Sequence, residues 1–334
     1  MMNHPSPDVI YFHTFPRSGS HWFRYCFEFI TKRKSERLQD ENIIWTKETG
    51  ASYPRALYHS HDPSSFHLCT HVAFGEKVGE NTGDPGWRFA KNVMIMRNYK
   101  EALLSELINR LFIIRTNLAD PHSATRTPPQ PNPQWVEYCR KHLRIPIANL
   151  DLISMPSVMT LDDASTDLAS MEKLIKTHAE VHRIFLGLFG QYCGLLQFHH
   201  LLREKKPENA LEMYYEDFMQ DPERQLKRLV GFLAHHKLPL LRNNMVYHNN
   251  LKELIANLDY HRDTCMGTYQ KKGHLAKTYT KSSEDINFNY YSSFFSDEFL
   301  DKMDKSMEIL ARDLYPNYLR RYAGLRGSTI KEKI

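Results

Sequence analysis

Val-Ile-Tyr-Phe-His-Thr-Phe-Pro-Arg-Ser-Gly-Ser-His-Trp-Phe-Arg, residues 9–24, is the stretch from which the rest of this chain can be read. Val9 to Phe12 is a β-branched and aromatic run, which predicts a buried strand. The run breaks at Pro16 into a short turn, Arg17-Ser18-Gly19-Ser20, and Trp22 to Ile30 then carries the amphipathic pattern of a helix. Strand, basic-hydroxyl turn and helix N-terminus together make an anion site, with free backbone N–H groups, a positive dipole end, hydroxyl donors and a guanidinium. A phosphate is the group such a site suits best. The same residues admit a plainer reading, in which Ser18 or Ser20 is an ordinary helix N-cap.

The turn is not a Walker A loop, which needs Gly-x-x-x-x-Gly-Lys-Ser/Thr. Here the turn has a single glycine, Gly19, and the basic residue precedes it. It resembles instead the phosphosulfate-binding loop of sulfotransferases that use 3′-phosphoadenosine 5′-phosphosulfate (PAPS), where Pro-Lys/Arg-Ser-Gly-Ser/Thr follows the first strand. A second segment supports the resemblance. Met94-Ile95-Met96-Arg97-Asn98-Tyr99-Lys100-Glu101-Ala102-Leu103-Leu104-Ser105 reads as a buried strand ending on Arg97, with Ser105 eight residues later in the next helix. That puts a guanidinium at the carboxyl edge of the sheet, where ligand sites of α/β folds lie. The segment is similar to the family's Arg-Asn-x-x-(Asp/Glu)-x-x-x-Ser, which implies that Arg97 and Ser105 hold the 3′-phosphate of PAPS. Read without the resemblance, Arg97 caps a strand end and Ser105 sits in an ordinary helix.

Two weaker elements lie in the expected order. Leu211 to Asp217, with Tyr214-Tyr215-Glu216-Asp217, looks like the family's Tyr-Glu-Asp segment, which implies that Tyr215 lies near the adenine. Lys271-Lys272-Gly273 resembles the Arg-Lys-Gly that wraps the 3′-phosphate, but with Lys in place of Arg it lacks the bidentate fork. The resemblance runs from residue 9 to roughly 275 and is to divergent, soluble, microbial- or viral-like members of the family. Residues 115–205, where such enzymes build the acceptor pocket, identify no acceptor.

At 334 residues the chain has room for one large α/β domain or two small ones. With 41% hydrophobic and 25% charged residues it has the composition of a soluble globular protein. A net charge of +5 suits an anionic cofactor but is too dispersed to point to nucleic acid. Five widely spaced cysteines without a Cys-x-x-Cys pair argue against a zinc site or a disulfide framework and favour a reducing compartment. No apolar run reaches the length of a membrane span, and Met1 to Asp8 lacks a signal-peptide core. The expectation is a cytoplasmic protein, unlike the membrane-anchored Golgi sulfotransferases, with no metal.

Along the chain, residues 31–50 are polar, and Lys32-Arg33-Lys34 is expected to cap a helix end and face solvent. Strands are predicted at Ala56 to His59, Phe66 to Thr70, Asn92 to Met96 and Ala210 to Tyr214. Gly75 to Gly86 reads as a loop, and Lys100 to Ile114 as a helix with Leu103, Leu104, Leu107 and Leu111 on one face. Residues 116–135, with Pro121, Pro128, Pro129, Pro131 and Pro133, read as a loop or lid. Asp167 to His200 reads as one or two long helices, and Asp221-Pro222-Glu223 as a helix start. The expected architecture is a P-loop-like three-layer α/β fold, a mainly parallel sheet flanked by helices. The resemblance implies a single sulfotransferase domain over 1–334, and a polar tail is expected at 325–334.

Sulfuryl transfer needs an acceptor O–H or N–H deprotonated as it attacks, and charge neutralised on the oxygen that leaves. Arg17 stands where the family has a basic residue and is the choice for stabilising the leaving group; it cannot donate a proton near neutral pH. Ser18, Gly19, Ser20, His21 and Trp22 would hold the 5′-phosphosulfate. Two histidines compete for the base. His61, preferred here, ends an apolar strand and is followed by Asp62, whereas His71 repeats the Thr-His of cytosolic members. His21 is the outside choice. The product would be 3′-phosphoadenosine 5′-phosphate (PAP), and the acceptor a small molecule, sugar or peptide. The alternatives are a P-loop-type nucleotide-dependent kinase and a catalytically silent nucleotide-binding protein of the same fold.

Overall fold

β1 (Ile10–Thr14) is buried at all five positions, as an interior strand of a parallel sheet must be. A computed structural model describes residues 10–37, 45–60, 91–107, 185, 188–193, 195–196, 199–200, 203–204, 207–234, 244–271, 292, 295–312 and 315–324. The other strands are β2 (Arg33–Arg37), β3 (Tyr53–Ser60), β4 (Lys91–Met96) and β5 (Ala210–Tyr214). They form a five-stranded sheet in the order β2-β3-β1-β4-β5. Every pairing is parallel, with Phe12 opposite His59 on β3 and opposite Val93 on β4, and Ile95 opposite Met213 on β5. The fold is α/β. The strand order reverses at β1, so the carboxyl ends of β1 and β4 mark the topological switch point of the sheet.

The chain divides into two compact units. The first comprises Met1–Thr14, Ser18–Met96 and Leu201–Ile286; the second comprises Phe15–Arg17, Arg97–His200 and Asn287–Ile334.

The first unit contains the sheet and the helices α1 (Ser20–Thr31), α2 (Thr46–Thr49), α4 (Tyr215–Gln220), α5 (Pro222–Ala234), α6 (Asn244–Ala256) and α7 (Leu258–Lys271), α3 (99–107) belonging to the second unit. Ile10 and Phe12 of β1 join Phe23, Phe27 and Ile30 of α1, Met213 of β5 and Leu226 and Leu233 of α5 in one apolar core. Phe12 stacks on Phe23 with ring centroids 4.2 Å apart. Asp221 caps α5 as expected, its Oδ1 accepting from the Arg224 N–H at 3.0 Å.

The Lys32-Arg33-Lys34 cluster is not the solvated face expected of it. Lys32 does end α1, in the left-handed region with φ 55 and its N–H bonded to Glu28 O. Arg33, however, is buried and opens β2, an edge strand that the charged sequence Arg-Lys-Ser-Glu-Arg had disguised. Charge on an edge strand discourages pairing with another chain. The alternate side chains go inward because buried polar partners await them. Ser35 donates its N–H to Glu28 Oε1 at 3.0 Å, Thr49 Oγ1 donates to Glu28 Oε2 at 3.1 Å, and Arg24 Nε donates to Ser35 Oγ at 3.0 Å. Burial raises the Glu28 carboxyl above its ordinary range, against the pull of these bonds.

His13, on β1, is also fully buried, hydrogen-bonded through Nε2 to Asn92 Oδ1 at 2.9 Å. Burial lowers its pKa to about 4, the Asn92 bond offsetting only part of that. A histidine depressed in the folded state stays neutral while its unfolded counterpart takes a proton, so acid favours unfolding through this group. Its contribution should decline by about 2 kcal/mol between about pH 7 and pH 5. Chemical denaturation at the two pH values should show a smaller loss in His13→Gln; an equal loss would remove His13 as the cause.

The second unit contains α3 (99–107), the helical residues 188–193, α8 (Asp297–Ala311) and α9 (Pro316–Tyr322). Asn98 starts α3, its Oδ1 accepting from Lys100 N–H at 3.1 Å. Leu103, Leu104 and Leu107 are buried as the periodicity predicts, as are Phe185, Leu188, Phe189, Tyr192, Leu195 and Leu196. Ser296 caps α8 by accepting from Phe299 N–H, with Asp297 and Glu298 at the positive end. The predicted strand at 66–70, the loop at 75–86, the lid at 116–135 and the tail at 325–334 lie outside the described residues, as do Leu111 and residues 167–184 of the long helical stretch.

Candidate functional site

The turn after β1 is built on left-handed backbone. Arg17 has φ 66 and Gly19 φ 82. For glycine that region is free; for arginine it costs about 1–2 kcal/mol because Cβ crowds the following carbonyl. Strain of this kind persists where surrounding structure enforces it, commonly at ligand sites.

Gly19 occupies the N-cap position of α1, and no side chain makes a capping hydrogen bond there. The ordinary cap by Ser18 or Ser20 is therefore not formed. The first turn of α1 contains no acidic residue, and its first helical bond runs from Phe23 N–H to Gly19 O at 3.1 Å. The N–H groups ahead of it are those that a helix leaves without an internal acceptor. The Ser18 hydroxyl is fully buried and has no hydrogen-bond partner among the described residues. An unsatisfied buried hydroxyl costs about 1–3 kcal/mol. Donors, dipole and orphaned hydroxyl together suit a tetrahedral oxyanion at the helix start.

The glycine is also required by its neighbour. A Cβ added at Gly19 would lie 2.7 and 2.8 Å from Cδ2 and Cε2 of Tyr215. Tyr215, the first residue of α4, thus has its ring against the loop, partly buried beside the apolar core. Ser20 is buried, and His21 meets Trp45 edge-on at 5.7 Å. Trp22 is buried, stacks on Tyr25 at 5.7 Å and has the Arg262 guanidinium over its ring at 5.9 Å. Its Nε1 has no hydrogen-bond partner among the described residues. The structure of the first unit therefore brings Ser18, Gly19, Ser20, His21, Trp22 and Tyr215 into one neighbourhood.

Arg97 follows β4 directly and belongs, with Arg17, to the second unit. Its Nη1 donates to Arg17 O at 2.5 Å, and its Nη2 lies 3.7 Å from Glu101 Oε2. Ser105 is buried two turns along α3. At the end of its strand the Arg97 guanidinium thus reaches the loop carbonyl and faces the Glu101 carboxylate. Lys271 is the last residue of α7, and nothing is described of its side chain. Lys272, Gly273 and the two candidate bases, His61 and His71, lie outside the described residues.

Sequence reasoning passed over a histidine beside the ones it chose. His59, near the end of β3, is buried, with Nε2 hydrogen-bonded to Thr14 Oγ1 at 3.0 Å and its ring 4.9 Å from Phe12. The signal was present, since His59 stands in the same apolar strand used to place His61. Among the described residues no cluster of His, Cys, Asp and Glu is arranged to hold a metal ion, and no helix is long and apolar enough to cross a membrane.

No family model matches this chain, and no curated protein matches it. Among solved structures it is similar to mouse sulfotransferase SULT7A1 complexed with PAP, at 16% identity and a TM-score of 0.38, over 95% of this chain and 89% of that chain.

Proposed function

We propose that this chain is a PAPS-dependent sulfotransferase of the cytoplasm, moving a sulfuryl group by in-line transfer to a hydroxyl or amine of its acceptor. One observation carries the reading: α1 starts without a capping side chain, directly after a strained turn whose buried Ser18 hydroxyl has no partner among the described residues. A helix start whose N–H groups are left without a capping side chain, beside a buried hydroxyl without a partner among the described residues, supports an anion from outside.

In this reading the N–H groups of Ser18 to Trp22, with the Ser18 and Ser20 hydroxyls, hold the 5′-phosphosulfate. Arg97 and Ser105 hold the 3′-phosphate, with Lys271, Lys272 and Gly273 as further contacts. Tyr215, His21 and Trp22 border the nucleotide. PAPS supplies the sulfuryl group and departs as the 3′,5′-bisphosphate. Arg17 neutralises charge on the bridging oxygen as that bond breaks, a role that needs its permanent charge and no proton transfer. His61 or His71 takes the acceptor proton.

The cofactor assignment is tested by thermal unfolding with nucleotides. PAP at about one hundred times its dissociation constant should stabilise the fold by about 2.7 kcal/mol, visible as a clear rise in Tm. ATP with Mg²⁺ at the same concentration should do far less, because it offers no 3′-phosphate to Arg97 and Ser105. Equal rises from the two would favour a kinase-type site and end the assignment.

A further inference from the structure

Arg97 is held by more than its own side chain. The Tyr192 hydroxyl donates to Arg97 O at 2.5 Å, and Arg97 N–H reaches the same Tyr192 oxygen at 3.4 Å. Tyr318 Oη lies 2.7 Å from Tyr192 Oη and 2.8 Å from Arg97 O. Each hydroxyl has one hydrogen to give. Tyr192 spends its hydrogen on the carbonyl and can accept from both Arg97 N–H and Tyr318 O–H. Both tyrosines are buried, and burial, with Tyr192 beside it, pushes the Tyr318 phenol well above its ordinary pKa, so it remains a neutral donor.

The two tyrosines are themselves fixed. Tyr318 is in α9, which Lys100 ties to α3 and α8 by donating to Tyr322 O and Asp304 Oδ1, each at 2.7 Å. Burial works against the charge of Asp304, but bonds from Lys100, Tyr99 and Gly324 hold its carboxyl below the usual range. Glu101, which faces the Arg97 guanidinium, accepts from Ser292 N–H at 2.8 Å. Main chain, guanidinium and counter-charge of Arg97 are thus all set by residues distant in sequence.

We infer that Tyr192 and Tyr318 are positioning residues that lock the Arg97 main chain, and that this lock confers selectivity for a nucleotide bearing a 3′-phosphate. The inference rests on the donor reading above. A guanidinium on a fixed main chain meets a phosphate with less ordering left to do, which appears as affinity for that phosphate alone. The bonds of the lock run to the Arg97 main chain.

Calorimetric affinities of the full chain for PAP and for adenosine 5′-monophosphate provide the test, in wild type, Tyr192→Phe and Tyr318→Phe. The ratio of the two affinities should fall about fivefold or more in Tyr192→Phe, and less in Tyr318→Phe, as pre-organisation is relaxed. Affinity for the monophosphate should be unchanged. A merely structural role would lower Tm and leave the ratio intact, and an unchanged ratio in both variants overturns the inference. If wild type itself shows no preference for PAP, the donor reading and this inference fall together. Should Tyr192→Phe not fold, the ratio in Tyr318→Phe decides alone.

Discussion

Replacing Arg17 by alanine is expected to lower turnover by about 10²–10³-fold, the loss typical when one preorganised donor to a developing oxyanion is removed. Affinity for PAP should change much less. The Arg17 carbonyl, which receives the Arg97 Nη1 hydrogen bond, belongs to the main chain and survives the substitution. Single-turnover rates with labelled PAPS, set beside PAP affinities, separate the two effects; a variant that loses affinity and keeps its rate would reassign Arg17 to binding.

Because Arg17 stands at φ 66, its alanine variant keeps the backbone strain while losing the charge. Arg17→Gly loses both, and should be more stable than Arg17→Ala by about 1 kcal/mol. The two variants should be equally slow if charge sets the rate. A glycine variant as fast as wild type would show that the guanidinium is dispensable and that backbone conformation is what matters.

How much of this could be read from sequence depends on the range over which each feature is determined. β1 and β4 were legible because an interior parallel strand is apolar on both faces, and both are buried throughout. The turn at Arg17 could be read as a candidate anion site because its basic, hydroxyl and glycine residues are contiguous in sequence. β2 was not, since Arg33-Lys34-Ser35-Glu36-Arg37 has the composition of a solvated loop and becomes a strand only through partners such as Glu28 and Thr49. The hold on Arg97 was invisible for a stronger reason: Tyr192 and Tyr318 are 95 and 221 residues away. No local pattern encodes such a pairing. Tyr215 lies between these cases, placed near the nucleotide by resemblance, while the structure adds that its ring is the wall that forbids a side chain at Gly19.

That wall gives the largest expected effect on stability. Gly19→Ala places a Cβ at φ 82 and within 2.8 Å of the Tyr215 ring. Left-handed backbone costs about 1–2 kcal/mol for an L-residue, and overpacking a filled site about 1–3 kcal/mol more. Gly50, at φ 66 with nothing within 4 Å of its would-be Cβ, supplies the control, because Gly50→Ala carries the backbone cost alone. Gly19→Ala should therefore be the less stable of the two in denaturant, and should also lose PAP binding if the helix start is displaced. Pairing Gly19→Ala with Tyr215→Ala separates the contributions. Removing the ring should recover the overpacking share and leave the backbone share, a coupling of about 1–3 kcal/mol in a double-mutant cycle. Zero coupling would mean that the ring yields freely and does not brace the loop. If Tyr215→Ala alone lowers affinity for PAP, Tyr215 contributes to the nucleotide site as well as to the turn beneath it.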